Sequence, residues 1–229
     1  MATAVRKTNW FAIWVSIAAV VVLVGVTGAV IAINNAASGP GAAPKGSIVD
    51  TDAGAVVFGD TGADNVIETY VDFLCPYCNQ FEQSEGEQIK QLVDAGTAVL
   101  KVHPVTILDQ YTSPAGFSSR ASSAFFAVAA ADPDNAYAFM QAMYQNQPEE
   151  RSAGLTSEQI IQIAKDAGVN VTSDLQKSIT NDSYQKFAQS KGLPADAQGT
   201  PTVIVNGTTV KWASGAGFNF DNDITPLLK

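Results

Sequence analysis

"VDFLCPYCNQFE", Val71 to Glu82, carries both cysteines of the chain, Cys75 and Cys78, three positions apart. What flanks it decides the fold. β-Branched and aromatic residues lead up to it in "NVIETYVDF", Asn65 to Phe73, the composition of a strand. A helical pattern then runs from about Pro76 to Asp94 and meets a stop signal at Gly96. "AVLKVHPV", Ala98 to Val105, reads as the next strand, and "AVVFGD", Ala55 to Asp60, as an earlier short one. Strand, helix, strand in this order predicts two parallel strands joined by a crossover, an α/β arrangement. The cysteines therefore stand where a strand hands over to a helix.

That position gives each sulfur a different chemistry. Residues i and i+3 in a first helical turn lie on one side, close enough for a disulfide. Leu74 ends the strand run, so Cys75 falls at the helix N-terminus. Free backbone N–H groups and the positive end of the helix dipole favour a thiolate there. The thiolate is the reactive species in disulfide exchange. Pro76 fits the first helical position because it has no N–H to lose. Cys78 lies a turn further in and is expected to be more buried. Cys75 is thus the attacking sulfur and Cys78 the resolving one. A zinc site needs about four ligands, and the chain offers two cysteines and His103. A copper(I) carrier using two thiolates is an open alternative. A structural disulfide would close almost no loop and stabilise little.

Beyond the second strand the pattern turns helical. Phe117, Ala121, Ala124, Phe125 and Val128 repeat at helix spacing, and Ala136, Phe139, Met140, Met143 and Tyr144 form another apolar stripe. These stripes read as packing rather than a cofactor site. Asp132-Pro133 reads as an N-cap followed by a first-turn proline. Thr156 and Gln159 have capping-box spacing, and a further helical stretch from about Ser173 to Lys191 breaks near Asn181. "TVIVNGTTVKW", Thr202 to Trp212, is a hairpin with Asn206-Gly207 at its turn. A short helix limited by Pro226 closes the chain. In "GTPTVIV", Gly199 to Val205, Pro201 stands just before a strand, where a proline needs a reason. Read alone, it is compatible with a trans or a cis bond. A cis-proline facing the cysteines would leave the Thr200 backbone open to an extended substrate segment.

Other polar residues receive plainer readings. Asp72 is read as a cap or a solvent-facing acid, with proton relay to Cys78 as the alternative. His103, the single histidine, reads as structural, and Glu82 and Glu85 as a solvated helix face.

The N-terminus has a different character. Trp10 to Ile33 holds no charged residue, and about two dozen residues suffice to cross a bilayer core of roughly 30 Å. Arg6 and Lys7 precede it, so the positive-inside rule keeps residues 1–9 in the cytoplasm and sends the rest outside. A cleaved signal peptide, with an apolar region of about 7–15 residues, is the alternative. Residues 34–47, broken by Pro40 and Pro44, read as a flexible linker reaching roughly 20 Å. The net charge is −9; without Arg6 and Lys7 about −11 falls on the remainder. Such an acidic body is a poor nucleic-acid binder and is not drawn to anionic lipid.

"YVDFLCPYCNQFE", the helical insertion and "GTPTVIVNG" together resemble the DsbA-like branch of the thioredoxin fold, over roughly Ala55 to the C-terminus. The resemblance implies a thioredoxin-like domain, placed at residues 48–229 with a helical insertion at about 112–198; the transmembrane helix and linker that precede it lie outside the likeness. It implies that Pro201 is cis and that Thr200-Pro201 faces the cysteines and binds substrate. It also implies dithiol–disulfide exchange with exported cysteine-containing proteins, without a cofactor, and recycling by a quinone-linked membrane oxidase. The best-known oxidases of this family carry His where this chain has Tyr77. Tyr cannot supply a stabilising charge, so the expected Cys75 pKa lies below that of a free thiol but above the extreme oxidase value of about 3.5. Oxidase is the expected direction, with reductase and isomerase roles as alternatives.

Overall fold

The computed structural model describes residues 41–212 and 217–229. The expected cytoplasmic tail, the transmembrane segment and the first half of the linker lie outside the described residues. Among the described residues, no helix is long and apolar enough to cross a membrane.

Six strands form one sheet: β1 (Val49–Asp50), β2 (Ala55–Phe58), β3 (Asn65–Val71), β4 (Ala98–Pro104), β5 (Thr202–Val205) and β6 (Thr208–Thr209). Their order is β1-β2-β4-β3-β5-β6. β3 and β4 run parallel, Asn65 opposite Ala98 through Val71 opposite Pro104, and helix α1 (Pro76–Asp94) makes the crossover between them. The other pairings are antiparallel. β3 is central because its alternation buries Ile67, Thr69 and Val71 on one face. The sequence predicts this strand through Phe73, but it ends at Val71. The Asp72 carbonyl accepts the Cys75 N–H at 3.0 Å and its carboxylate accepts the Leu74 N–H at 2.9 Å, which turns the chain out of the sheet.

The hairpin arises as its turn residues require. Asn206 and Gly207 have φ of 51° and 80°, the left-handed pair that matches strand twist. Asn206 also bonds across to β3, its Oδ1 accepting the Val66 N–H at 3.0 Å.

The insertion contributes α2 (Phe117–Ala131), α3 (Ala136–Gln145), α4 (Ser157–Asp166), α5 (Ser173–Thr180) and α6 (Gln185–Gln189). The chain closes with α7 (Phe220–Asp223) and a short 3-10 turn carrying Pro226. α2 lies in the middle of the core, with Phe117, Phe125, Phe126 and Val128 fully buried. Phe73 joins sheet to insertion, its ring 5.6 Å from Phe125 and 5.2 Å from Tyr144. Met140 and Met143 pack in the same core. The Thr156–Gln159 capping box forms in full at the start of α4, and the break after Thr180 separates α5 from α6.

One expectation holds in position and another is overturned. Asp132 is the N-cap residue of a 3-10 turn, Pro133–Asn135, with Pro133 in its first turn, but its carboxylate caps no backbone N–H of that turn; it accepts from the Asn135 side chain and from the Asn170 N–H at 2.8 Å, tying two loops of the insertion. Glu82 and Glu85 are not solvated: both are buried, because α3 and the C-terminal segment cover a face of α1 that would otherwise meet water. The expected linker also meets the domain before Ser47, since Pro44 is buried and Gly46 lies against the backbone of Ala130.

Candidate active site

The topology brings two distant segments together. β5 is antiparallel to β3, with Thr202 opposite Tyr70. The start of β5 therefore lies at the end of β3, where Asp72 to Cys75 emerge. The Thr200-Pro201 bond is cis, and the Thr200 carbonyl accepts from Cys75 Sγ at 3.3 Å, across 125 positions of sequence. The loop also lines a cleft with Asp196, Lys211 and Trp212, about 600 Å³ in volume.

Cys75 is the N-cap of α1, with extended backbone, and Pro76 occupies the first turn as the missing donor predicts. The Cys75 carbonyl accepts the N–H of Cys78 at 3.1 Å and of Asn79 at 3.2 Å. The two sulfurs are not joined in a disulfide in this structure. Cys78 is fully buried, Cys75 is 5% exposed, and Tyr77 between them is 64% exposed. The expected asymmetry is thus present. The Cys75 thiol is lowered to about 6, first by the Cys78 thiol donating to it, then by the Thr200 hydroxyl and the N–H groups of Cys78 and Tyr77, against the opposing effect of burial. Burial above all raises the Cys78 thiol well above its ordinary value, and the neighbouring Cys75 adds to the rise. Cys75 is thus biased toward the thiolate and Cys78 toward the thiol, the distribution that exchange needs.

Asp72 is not in solvent. It is fully buried, its two carboxylate oxygens accepting the N–H groups of Leu74 and Leu108, each at 2.9 Å. Burial raises it to about 6 against the pull of those N–H groups and the Ser118 hydroxyl. Its backbone bonds to Cys78, which brings a carboxyl group near neutrality into the neighbourhood of the buried thiol.

His103 is structural. Its ring stacks on Tyr70 at 4.2 Å, with Nε2 3.2 Å from Glu68 and Nδ1 3.3 Å from the Ala53 carbonyl. Burial lowers its pKa, outweighing Glu68. Among the described residues, no three His, Cys, Asp or Glu side chains are grouped to hold a metal.

Sequence reasoning missed three neighbours supplied by the insertion and the loop before it. Gln147, just after α3, donates from Nε2 to the carbonyls of Phe73 and Cys75, both at 3.0 Å, and accepts from Asn79 Nδ2 at 3.2 Å. Tyr144 is buried, its hydroxyl without a partner among the described residues, and Leu108 supplies an N–H to Asp72. None carries a local signal, since each acts through a contact more than 30 positions away.

The chain matches the sequence model of the family described as Thioredoxin over residues 51–217. No curated protein shows significant similarity to it by sequence search. Among solved structures it is similar to reduced DsbA from Mycobacterium tuberculosis, 28% identical, covering 70% of this chain and 86% of that one, with a TM-score of 0.62. The reduced disulfide-bond oxidoreductase DsbG of the same organism is also 28% identical, over 77% of this chain and 84% of that one, with a TM-score of 0.60. MdbA of Actinomyces oris, a thiol-disulfide oxidoreductase, shares the fold at 22% identity and a TM-score of 0.59, covering 74% of this chain and 85% of that one. With its helical insertion and its Cys75–Cys78 pair facing Thr200-Pro201, the chain belongs to the thioredoxin family, among its DsbA-like thiol-disulfide oxidoreductases.

Proposed function

We propose that the protein is a membrane-anchored, extracytoplasmic oxidase that introduces disulfides into exported proteins through Cys75-Pro76-Tyr77-Cys78. One observation carries the chemistry: Cys75 caps α1 with its Sγ 3.3 Å from the Thr200 carbonyl, beside the cis Thr200-Pro201 bond, while Cys78 is fully buried one turn in, a placement that lowers the Cys75 thiol and raises that of Cys78. The anchor and the location are supported by the uncharged segment Trp10 to Ile33 behind Arg6 and Lys7. The mild lowering of Cys75 is compatible with reduction or isomerisation as well. The oxidising compartment favours oxidation.

In this mechanism a substrate thiolate attacks Cys75 Sγ of the Cys75–Cys78 disulfide. The S–S bond breaks, and Cys78 leaves with the electron pair and takes a proton, for which the buried Asp72, whose backbone bonds to Cys78, is the candidate donor. A second substrate thiolate attacks the substrate sulfur of the mixed disulfide and expels Cys75 as a thiolate, a good leaving group at its low pKa. The substrate has lost two electrons and the pair has gained them. Reoxidation passes them to a disulfide-bearing partner in the membrane, for which a quinone-linked oxidase has the required chemistry. Asp72 then accepts the proton that Cys78 must lose to close its bond. The cleft beside Thr200-Pro201 is the surface on which an extended substrate segment would lie.

The test uses trapping. Cys75→Ser abolishes exchange with a reduced, cysteine-containing substrate, while Cys78→Ser accumulates mixed disulfides through Cys75. Normal turnover by Cys78→Ser would reverse the roles. Stoichiometric copper or zinc bound to the purified protein, with no dithiol activity, would replace the reading by metal carriage.

A further inference from the structure

We propose that Gln147, supplied by the helical insertion, is a positioning residue that holds the Cys75 peptide in its reactive geometry. The inference rests on the thiol–disulfide reading of this site and adds a control over it. Gln147 lies two positions past the end of α3, yet all three of its side-chain bonds go to the cysteine turn or the first turn of α1. Its two amide hydrogens satisfy the carbonyls of Phe73 and Cys75, which bracket the buried Leu74. The Phe73 carbonyl belongs to neither strand nor helix, so its donor must come from elsewhere. Gln147 Oε1 takes an Asn79 hydrogen, fixing which way the amide faces.

The turn is thus gripped from two sides. Asp72 holds the Leu74 and Cys75 N–H groups, and Gln147 holds the Phe73 and Cys75 carbonyls. Only a primary amide of this length offers two donors and one acceptor in one plane. The N–H groups of Tyr77 and Cys78 that favour the Cys75 thiolate belong to the two peptides that follow the Cys75 carbonyl, so their aim depends on how the turn before them is held. Without Gln147 the Phe73 carbonyl loses its donor and the Cys75 carbonyl keeps only the Cys78 and Asn79 N–H groups, so the turn is free to shift and the N–H fan loosens. The reach of the insertion into the turn is reinforced by Tyr144, three positions before Gln147, whose ring stacks on Phe73.

The test compares the full chain with Gln147→Met and Gln147→Glu under reducing conditions. Iodoacetamide alkylation of Cys75 is followed from pH 4.5 to 9, and the equilibrium with glutathione is measured at pH 7. Gln147→Met moves the alkylation midpoint up by about half to one pH unit, so the rate at pH 5.5 falls about three- to tenfold. The glutathione equilibrium moves by the same factor toward the protein disulfide, tenfold being about 30 mV. Gln147→Glu, which removes both donors and adds a negative charge, moves both further in the same direction. If either folded variant stays within twofold of the wild type in both readouts, or shifts the other way, Gln147 is only structural and the proposal fails. Should Gln147→Met not fold, the nearly isosteric Gln147→Glu carries the test alone. Alkylation reports on Cys75 whether or not the protein oxidises substrates, so failure of the oxidase reading would appear separately, as a wild type inert toward reduced substrate.

Discussion

The Cys75 thiolate makes the stability of the reduced protein depend on pH, and Cys75→Ser removes that dependence. The thiol is lowered from 9.0 to about 6 in the folded protein. A group whose folded pKa is depressed contributes stability that is complete above the unfolded pKa and gone below the folded one. At about 1.4 kcal/mol per unit, the contribution approaches about 4 kcal/mol above pH 9, is about 1.4 kcal/mol at pH 7, and vanishes below pH 6. Asp72 and Glu82 act in the opposite sense, because burial raises them to about 6 and about 7. They lower stability as pH rises through their window from about 4 to 7, in wild type and variant alike, so the difference between the two proteins isolates Cys75. The assay is urea unfolding under reductant at half-unit steps from pH 5.5 to 9, beside the rate of Cys75 alkylation. The same energy sets the redox couple. A thiol at about 3.5 gains about 4.8 kcal/mol at pH 7, about 3.4 more than this one, so the pair is about 70 mV less oxidising than a couple at about −120 mV, near −190 mV. Parallel stability curves, with an alkylation midpoint above about 8, would refute the reasoning.

Two further outcomes concern the buried acids. Asp72→Asn slows release and closure of mixed disulfides at pH 7 by about tenfold or more and removes an inflection near pH 6 from the pH–rate profile; it also costs about 1–3 kcal/mol, since an amide cannot accept on both sides from Leu74 and Leu108. Stopped-flow kinetics with reduced peptide reads the first effect, and an unchanged profile would return Asp72 to a capping role. Glu82→Gln raises stability by about 1–3 kcal/mol above pH 7 and flattens its pH dependence between about 4.5 and 7, because the buried carboxylate pays a desolvation cost that one hydrogen bond from Gln141 does not offset. Denaturant unfolding at pH 5 and 8 checks it, and equal stabilities of the two proteins at both values would count against that account.

The sequence by itself determined the main elements and the place of the two cysteines in them. Strand composition before Cys75, the proline after it and Gly96 beyond are local signals, and α1 begins and ends where they place it. Asn206-Gly207 needed only its own backbone preferences to make the hairpin, and Thr156 and Gln159 reached each other within one helical turn. The different chemistry of Cys75 and Cys78 followed from their places in a first helical turn, which periodicity fixes. The tertiary structure decided everything that depends on what covers a residue. Glu82 and Glu85 lie on a helix face that periodicity makes polar, and only packing by other elements buries them. Asp72 became a buried acid near neutrality because the Leu108 loop and α2 close over it. Thr200 met Cys75, and Gln147 met the Cys75 carbonyl, through antiparallel pairing of β5 on β3 and docking of the insertion. Local propensities act over a few residues, whereas desolvation and hydrogen bonding across 72 or 125 positions of sequence exist only once the chain has folded.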